Sequence, residues 1–115
     1  MPGGVTTIAD TDFEAEVLKV NETPVLVYFW ASWCGPCRLV SPSIDWVASQ
    51  YSDRLKVIKM EVDPNPSTVA QCKVEGVPAL RLFHQGELEG SWEGAITRQK
   101  IQEILEEKLP LLAGS

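Results

Sequence analysis

The sequence predicts an α/β fold in which a central mixed sheet of five strands is flanked by four helices on its two faces. Strand-like and helix-like segments alternate along most of the chain, which is the pattern of α/β domains. Residues 25–30 form a continuous β-branched and aromatic run, as in a strand that is covered on both faces. Two later strand segments flank the turn at residues 84–87, which indicates an antiparallel hairpin and therefore a mixed sheet.

Five segments carry the strand pattern, and the second is the predicted central strand. They are residues 5–8, 25–30, 55–62, 79–83 and 88–92. The last two are joined by His84-Gln85-Gly86-Glu87, where we expect Gly86 to adopt a positive φ.

Four segments carry helical spacing or a helix-start signal. The first covers Phe13 to Leu18 and the second Cys34 to Gln50. The third is capped by Ser67 and reaches Cys72 or Lys73, and the fourth is capped by Thr97 and reaches Leu109. Pro110 ends the last helix, and we expect residues 111–115 to form a loosely ordered tail.

The composition is that of one compact domain, which we expect to cover residues 1–115. Hydrophobic residues at 44% and charged residues at 23% are typical of soluble globular proteins. A net charge of −6 without a basic cluster argues against nucleic-acid binding. The longest apolar run, residues 25–31, is far below the ~20 residues that span a bilayer, and the start lacks a secretory signal pattern. We expect a cytoplasmic protein, with the plastid stroma or another reducing organelle as the alternative.

Cys34 and Cys37 form a C-x-x-C pair between the predicted central strand and the helix after it, which signals redox chemistry in an intracellular protein. Unpaired N–H groups and the dipole at a helix N-terminus favour a thiolate there. We therefore expect Cys34 to be the exposed attacking thiolate and Cys37 to be the shielded thiol that resolves a mixed disulfide. Gly35 and Pro36 keep the turn compact, and proline suits a first helical turn because it has no N–H to leave unpaired.

Two other interpretations of the pair are weaker. A zinc site needs four ligands, and only Cys72 and His84 remain, in no second ligand motif, so we expect no metal. A purely structural disulfide is disfavoured because so short a loop removes little entropy from the unfolded chain. Cys72 itself is either a redox-sensitive thiol or, as we favour, a small buried hydrophobe.

Several segments together resemble the thioredoxin family. They are the signature Phe29-Trp30-Ala31-Ser32-Trp33-Cys34-Gly35-Pro36-Cys37-Arg38, then Val62-Asp63-Pro64-Asn65-Pro66, Gly76-Val77-Pro78, Phe83-His84-Gln85-Gly86-Glu87 and Gly94-Ala95. The likeness runs in register from about Val5 to Leu109, and it implies the thioredoxin fold for the whole domain.

The resemblance also implies a docking surface. Pro78 would follow a cis peptide bond and pack beside the cysteines, which leaves the backbone of Val77 free to pair with an extended substrate segment. Trp33, Val77, Gly94 and Ala95 would form an apolar surface around Cys34 that suits varied partner proteins. Trp30 would be a core residue packed under the active-site loop.

The sequence departs from the family pattern at Tyr28. Many members have a buried Asp there, which acts with a lysine, matched here by Lys59, to move the proton of the second cysteine. A phenol with an ordinary pKa of ~10 is a poor base near neutral pH. We interpret Tyr28 as a core residue with a minor hydrogen-bonding role, so that deprotonation of Cys37 is slower or relies on water.

The function that the resemblance implies is that of a protein-disulfide reductase, a thiol–disulfide oxidoreductase that is re-reduced by a thioredoxin reductase using NADPH or ferredoxin. No bound cofactor is expected beyond the reversible Cys34–Cys37 disulfide. Gly35 and Pro36 between the cysteines favour the reducing role and are expected to tune the redox potential. The alternative is an interaction module whose docking surface matters more than redox turnover. In both cases we expect a monomer.

Overall fold

A central sheet organises the computed structural model, which describes residues 4–112. The strands are β1 Thr6–Thr7, β2 Val25–Trp30, β3 Lys56–Glu61, β4 Ala79–His84 and β5 Glu87–Glu93. Their order across the sheet is β1-β3-β2-β4-β5. β1, β3 and β2 run parallel, whereas β4 is antiparallel to both β2 and β5. The predicted mixed sheet of five strands is confirmed, although β1 is shorter than its pattern suggests.

β2 is central because its side chains are apolar on both faces. Residues 25–29 are all buried, with no more than 1% of their surface exposed. Leu26 and Tyr28 point to one core cluster, while Val25, Val27 and Phe29 point to the other. A strand with this composition is stable only when helices cover both faces of the sheet.

Three regular α-helices occur in the described part of the chain, and an irregular helical segment precedes them. They are α1 Cys37–Gln50, α2 Pro66–Gln71 and α3 Arg98–Lys108. The irregular segment combines a 3₁₀ turn at Asp10–Asp12 with a π-helical stretch at Glu14–Leu18. Phe13 and Val17, four residues apart, are both buried, so the predicted apolar stripe is present although the helix is not regular.

The helices cover the two faces of the sheet separately. Ile44 and Val47 of α1 and Ile101 and Leu105 of α3 pack in one core cluster with the β2 residue Leu26. On the other face, Phe13 and Val17 of the first helical segment belong to a cluster with Val27 and Phe29. Phe13 also meets Phe83 edge to face, with ring centroids 5.8 Å apart. The strand β2 is therefore held between two packed layers.

The hairpin between β4 and β5 turns as the sequence predicts. Gln85 and Gly86 have φ values of 55° and 79°, the left-handed pair that matches the twist of a two-residue hairpin. A Cβ atom at position 86 would also lie 2.7 Å from the carbonyl oxygen of Leu18. Glycine is therefore required there both by its φ and by the close approach of the first helical segment.

The start of α2 differs from the prediction. Ser67 does not cap this helix, which begins at Pro66. The backbone N–H groups of Ser67 and Thr68 instead donate to the carboxylate of Asp10, at 3.0 and 2.8 Å. The sequence pattern misses this cap because Asp10 is far from α2 along the chain. For α3 the predicted cap is confirmed, since the Lys100 N–H donates to Thr97 Oγ1 at 3.1 Å.

The C-terminal segment is more ordered than we expected at residues 111–112. Pro110–Leu112 forms a 3₁₀ turn, and Leu112 is 1% exposed within the cluster formed by α1 and α3. The prediction of a loose tail is wrong for these two residues because Leu112 returns to the core; residues 113–115 lie outside the described part. Among residues 4–112, no helix combines the length and apolarity that crossing a membrane requires.

Candidate active site

Cys34 and Cys37 lie where the chain passes from β2 into α1, and a disulfide joins them. Their Cα atoms are 5.4 Å apart. Cys37 is the first residue of α1, so Cys34 precedes the helix by three residues. The Cys34 N–H donates to the carbonyl of Ala31 at 3.2 Å, which closes the turn at the end of the strand. The sequence-predicted pair is thus brought together at the start of the helix.

The helix polarises Cys34 rather than Cys37. The backbone N–H of Cys37 donates to Cys34 Sγ at 3.2 Å, so the sulfur accepts one of the N–H groups that are unpaired at a helix start. Such a hydrogen bond and the helix dipole stabilise negative charge on the sulfur. Pro36 occupies the N-cap position. A Cβ atom at position 35 would meet no atom within 4 Å, so its close surroundings do not require glycine there.

The expected exposure of Cys34 is not found in this oxidised form. Cys34 is 5% exposed and Cys37 is 3% exposed. The disulfide-bonded cysteines form a small buried cluster with Ala31, and the side chains of Trp30, Val62 and Val77 pack against it. The two cysteines therefore differ in their hydrogen bonds and not in their accessibility. Trp30 packs against the cysteines and the main core but is only partly buried.

Among the expected docking residues, Val77 packs against the cysteine pair and Trp33 directly precedes Cys34 in the chain. Trp33 is 66% exposed, and its Nε1 donates to Asp63 Oδ2 at 2.9 Å. The Val77–Pro78 peptide bond is cis, as the resemblance implies. Within residues 4–112, neither the N–H nor the C=O of Val77 makes a hydrogen bond. The Gly94 N–H donates to the Pro78 carbonyl at 2.8 Å, and Gly94 and Ala95 are exposed.

An apolar groove of about 160 Å³ opens beside these segments. Its lining consists of Trp33, Val62, Val69, Val74, Glu75, Gly76 and Val77. Val62 and Val77 also pack against the cysteine pair, so the groove adjoins the disulfide. A concave apolar surface next to a reactive pair suits the side chain of a docked polypeptide.

Tyr28 lies behind the pair with its hydroxyl engaged. The hydroxyl donates to the carbonyl oxygen of Cys37 at 3.1 Å and lies 3.0 Å from Ser41 Oγ. Burial raises the pKa of the Tyr28 phenol above its ordinary value. Lys59 is its register partner on β3, but the Lys59 ammonium lies over the Trp30 ring, 5.0 Å from the centroid. The two residues are neighbours on adjacent strands, and within residues 4–112 no hydrogen bond joins their side chains.

Cys72 and His84, the other possible metal ligands, lie outside the pair. Cys72 is 7% exposed at the end of α2, and burial raises the pKa of its thiol to about 11, against the opposing charge of Arg81. His84 ends β4 at the hairpin. Among the described residues, no group of three His, Cys, Asp or Glu side chains could hold a metal ion.

A salt bridge between the buried Arg81 and the more exposed Glu93 lies beside the docking segments, and no motif indicates it. Arg81 Nη2 donates to Glu93 Oε2 at 2.7 Å. The hydrogen bond from Arg81 holds the pKa of the Glu93 carboxyl below its usual range. The only signal in the sequence is a cation in the middle of the apolar strand Ala79–His84, where an unpaired charge would be costly.

A helix-polarised cysteine pair, a cis-proline loop and an adjoining apolar groove define a dithiol–disulfide oxidoreductase. The comparisons with known proteins agree. The family model named Thioredoxin matches residues 4–107. This chain belongs to the thioredoxin family, and it is a thiol–disulfide oxidoreductase of the protein-disulfide reductase type.

The relatives cover nearly the whole chain. It is 59% identical over 105 residues to a thioredoxin-like protein of Synechocystis, and the aligned residues make up 91% of this chain and 95% of that protein. It is 40% identical over 109 residues to a thioredoxin of Acidithiobacillus ferridurans, across 95% of this chain and 100% of that protein. It is 41% identical over 102 residues to thioredoxin 1 of Synechococcus elongatus, with coverages of 89% and 94%.

Proposed function

We propose that the protein reduces disulfides in target proteins, with Cys34 as the nucleophile and Cys37 as the resolving thiol. The observation that carries this assignment is the hydrogen bond from the Cys37 N–H to Cys34 Sγ at 3.2 Å. In the reduced protein the same donor stabilises a thiolate on Cys34, whereas nothing equivalent acts on the sulfur of Cys37 among the described residues.

The exchange proceeds in two balanced steps. The Cys34 thiolate attacks one sulfur of the target disulfide, a mixed disulfide forms, and the other target sulfur leaves as a thiolate. The Cys37 thiolate then attacks Cys34 Sγ and releases the second target sulfur. Two electrons pass to the target, the two protons of the dithiol end on its thiols, and Cys34 and Cys37 become the disulfide seen in this structure.

Docking of the target is assigned to the surface around the pair. The unpaired backbone groups of Val77 support pairing with an extended target segment, as in strand addition. Trp33 and the cis-linked Pro78 are assigned to the same surface, together with the exposed residues Gly94 and Ala95, of which Gly94 is hydrogen-bonded to Pro78. One chain supplies every one of these groups, so a monomer is sufficient for the proposed activity.

The pair must be reduced again after each turnover. We assign this step to a thioredoxin reductase that draws on NADPH or on ferredoxin, since the reaction consumes two electrons for each target disulfide. A dithiol that acts as a reductant needs a reducing compartment, so we place the protein in the cytoplasm, with the plastid stroma or a similar organelle as the alternative. Recycling assays with each type of reductase distinguish the two electron sources.

The test is trapping with a Cys37→Ser variant. Without the resolving thiol, target proteins are expected to remain attached to Cys34 as mixed disulfides that a reducing agent releases. The matched control carries both Cys34→Ser and Cys37→Ser, which leaves Cys72 as its only thiol. Partners trapped equally by the control would contradict the role of Cys34. Partners that bind without any covalent link would instead favour an interaction module.

A further inference from the structure

Arg81 carries a charge in a part of the sheet where charges are rarely tolerated. Its side chain is 3% exposed, and its neighbours on β4, Leu80 and Leu82, are buried in the core. A buried guanidinium needs a counter-ion and hydrogen-bond acceptors for its donors. Replacing a buried ion pair by apolar residues of similar volume often leaves the stability of a protein unchanged or raises it, so stability alone does not explain a charge at this position.

The guanidinium meets these needs with acceptors from three parts of the chain. Nε donates to the carbonyl of Cys72 at 2.9 Å, and Nη2 donates to that of Lys73 at 3.0 Å. Nη1 donates to the carbonyls of Leu80 and Trp92 at 3.0 and 3.5 Å. Nη2 also pairs with Glu93 Oε2 at 2.7 Å, which neutralises the charge. Arg81 thus ties the end of α2 to both strands of the hairpin.

Glu93 extends these contacts to the segment before the cis-proline. Its Oε2 accepts the backbone N–H of Glu75 at 3.4 Å. Within the described chain, this is the only hydrogen bond made by residues 75–77. Glu93 also immediately precedes Gly94, whose N–H binds the Pro78 carbonyl at 2.8 Å. The salt bridge therefore reaches both backbone segments that the proposed docking surface uses.

We propose that Arg81 and Glu93 are positioning residues for target docking, because their salt bridge holds the segments 75–77 and 94–95 in fixed relative positions. Neither residue takes part in the exchange of sulfurs. The salt bridge lowers the entropy that the two segments lose when a protein target pairs with Val77. This inference rests on the proposed function, since fixed docking segments matter only if the targets are proteins.

The experiment compares a protein disulfide with a small one. Prereduced protein is mixed with increasing insulin, and oxidation of the cysteine pair is followed by acid quenching and alkylation. For Arg81→Met we expect the half-saturating insulin concentration to rise about tenfold while the limiting rate changes less than about threefold. The rate with 5,5′-dithiobis(2-nitrobenzoic acid), which needs no docking segment, is expected to stay within about twofold of wild type.

Two further variants keep the test independent of folding defects. Glu93→Gln removes the charge but keeps the shape, and Arg81→Lys keeps the charge with fewer donors, so both are expected to give smaller rises in the half-saturating concentration. Glu16→Gln is the matched control. It weakens the Lys56–Glu16 salt bridge at the start of β3, which is 2.8 Å long, and should not change the insulin dependence.

The outcomes separate the two proposals. An unchanged half-saturating concentration in folded Arg81→Met and Glu93→Gln would overturn the positioning role and leave the reductase role intact. Equal losses with insulin and with the small disulfide would also overturn it, because they indicate damage to the cysteine pair. A wild-type protein that reduces the small disulfide but not insulin would contradict the proposed function itself.

Discussion

Tyr28 is a buried residue whose phenol hydroxyl is engaged in two hydrogen bonds. It contacts the Cys37 carbonyl and Ser41 Oγ, both on the first turns of α1. These contacts support our interpretation of Tyr28 as a core residue with a hydrogen-bonding role. That deprotonation of Cys37 is slower here, or relies on water, stays a hypothesis. Because burial raises the pKa of the Tyr28 phenol, even less of it is ionised and able to act as a base at neutral pH.

The Tyr28→Asp substitution tests this hypothesis at the residue scale. Burial should raise the pKa of the new carboxyl above the ~3.9 of the unfolded chain. The substitution is therefore least costly below about pH 4, and the folded state should lose stability as the pH rises through the raised value. We expect a loss of about 2–4 kcal/mol at pH 7, measured by urea unfolding, and a pH–rate profile with an added ionisation.

Tyr28→Phe is the matched control. It keeps the ring in the core and removes only the hydroxyl, so we expect a loss of about 1 kcal/mol with no new pH dependence. Equal stability and an identical pH–rate profile for Tyr28→Asp and wild type would show that the position is indifferent to a carboxylate, and our interpretation would be wrong.

At the scale of elements, α2 depends on a residue outside it. The carboxylate of Asp10 accepts hydrogen bonds from the backbone N–H groups of Ser67 and Thr68 in the first turn of this short helix. The Asp10 N–H in turn donates to Asn65 Oδ1 at 2.8 Å. Burial alone would raise the pKa of Asp10, but the hydrogen bonds from Thr68 and Ser67 outweigh it and lower the pKa. The first helical segment and α2 are thereby held together, on the same side of the sheet as Arg81 and Cys72.

An Asp10→Ala variant should lose about 1 kcal/mol of stability at pH 7 because two N–H groups of α2 lose their acceptor. The folded-state pKa of Asp10 is lowered, so its contribution is present above the unfolded value of ~3.9 and is lost as the pH falls through the folded value. Unfolding curves of wild type and variant should therefore converge in acid. Asp10→Asn keeps an acceptor and should show a smaller loss with no such convergence; curves that stay equally separated in acid would contradict the role of the charge.

At the scale of the whole molecule, the redox state and the folding equilibrium are linked. The disulfide joins residues only three apart in sequence, at the point where β2, α1 and the docking segments meet. The short closed loop restricts the unfolded chain modestly, by about 2 kcal/mol in the loop-entropy model. Reduction should therefore weaken the fold without unfolding it.

We expect the oxidised protein to be about 2 kcal/mol more stable than the reduced protein, as measured by urea unfolding with and without dithiothreitol. The variant carrying Cys34→Ser and Cys37→Ser serves as the control, because its stability should not respond to the reductant. A reduced protein as stable as the oxidised one would mean that thiolate hydrogen bonds at the start of α1 compensate fully for the lost cross-link.

The sequence by itself determined the features that depend on neighbouring residues. The apolar run of residues 25–30 specifies a strand that must be covered on both of its faces, and Gly86 is needed where the hairpin has a positive φ. The C-x-x-C pair before a helical pattern was enough to locate the redox site. Each of these signals is local, because backbone conformation and side-chain periodicity are set within a few residues.

Only the tertiary structure decided the contacts between segments that are distant along the chain. It placed the carboxylate of Asp10 on α2, the hydroxyl of Tyr28 on the Cys37 carbonyl, and Leu112 in the core. It also paired Arg81 with Glu93 beside the docking segments. A buried polar group must find a partner, but the pattern of residues around it does not show which one, since that depends on how the strands and helices pack.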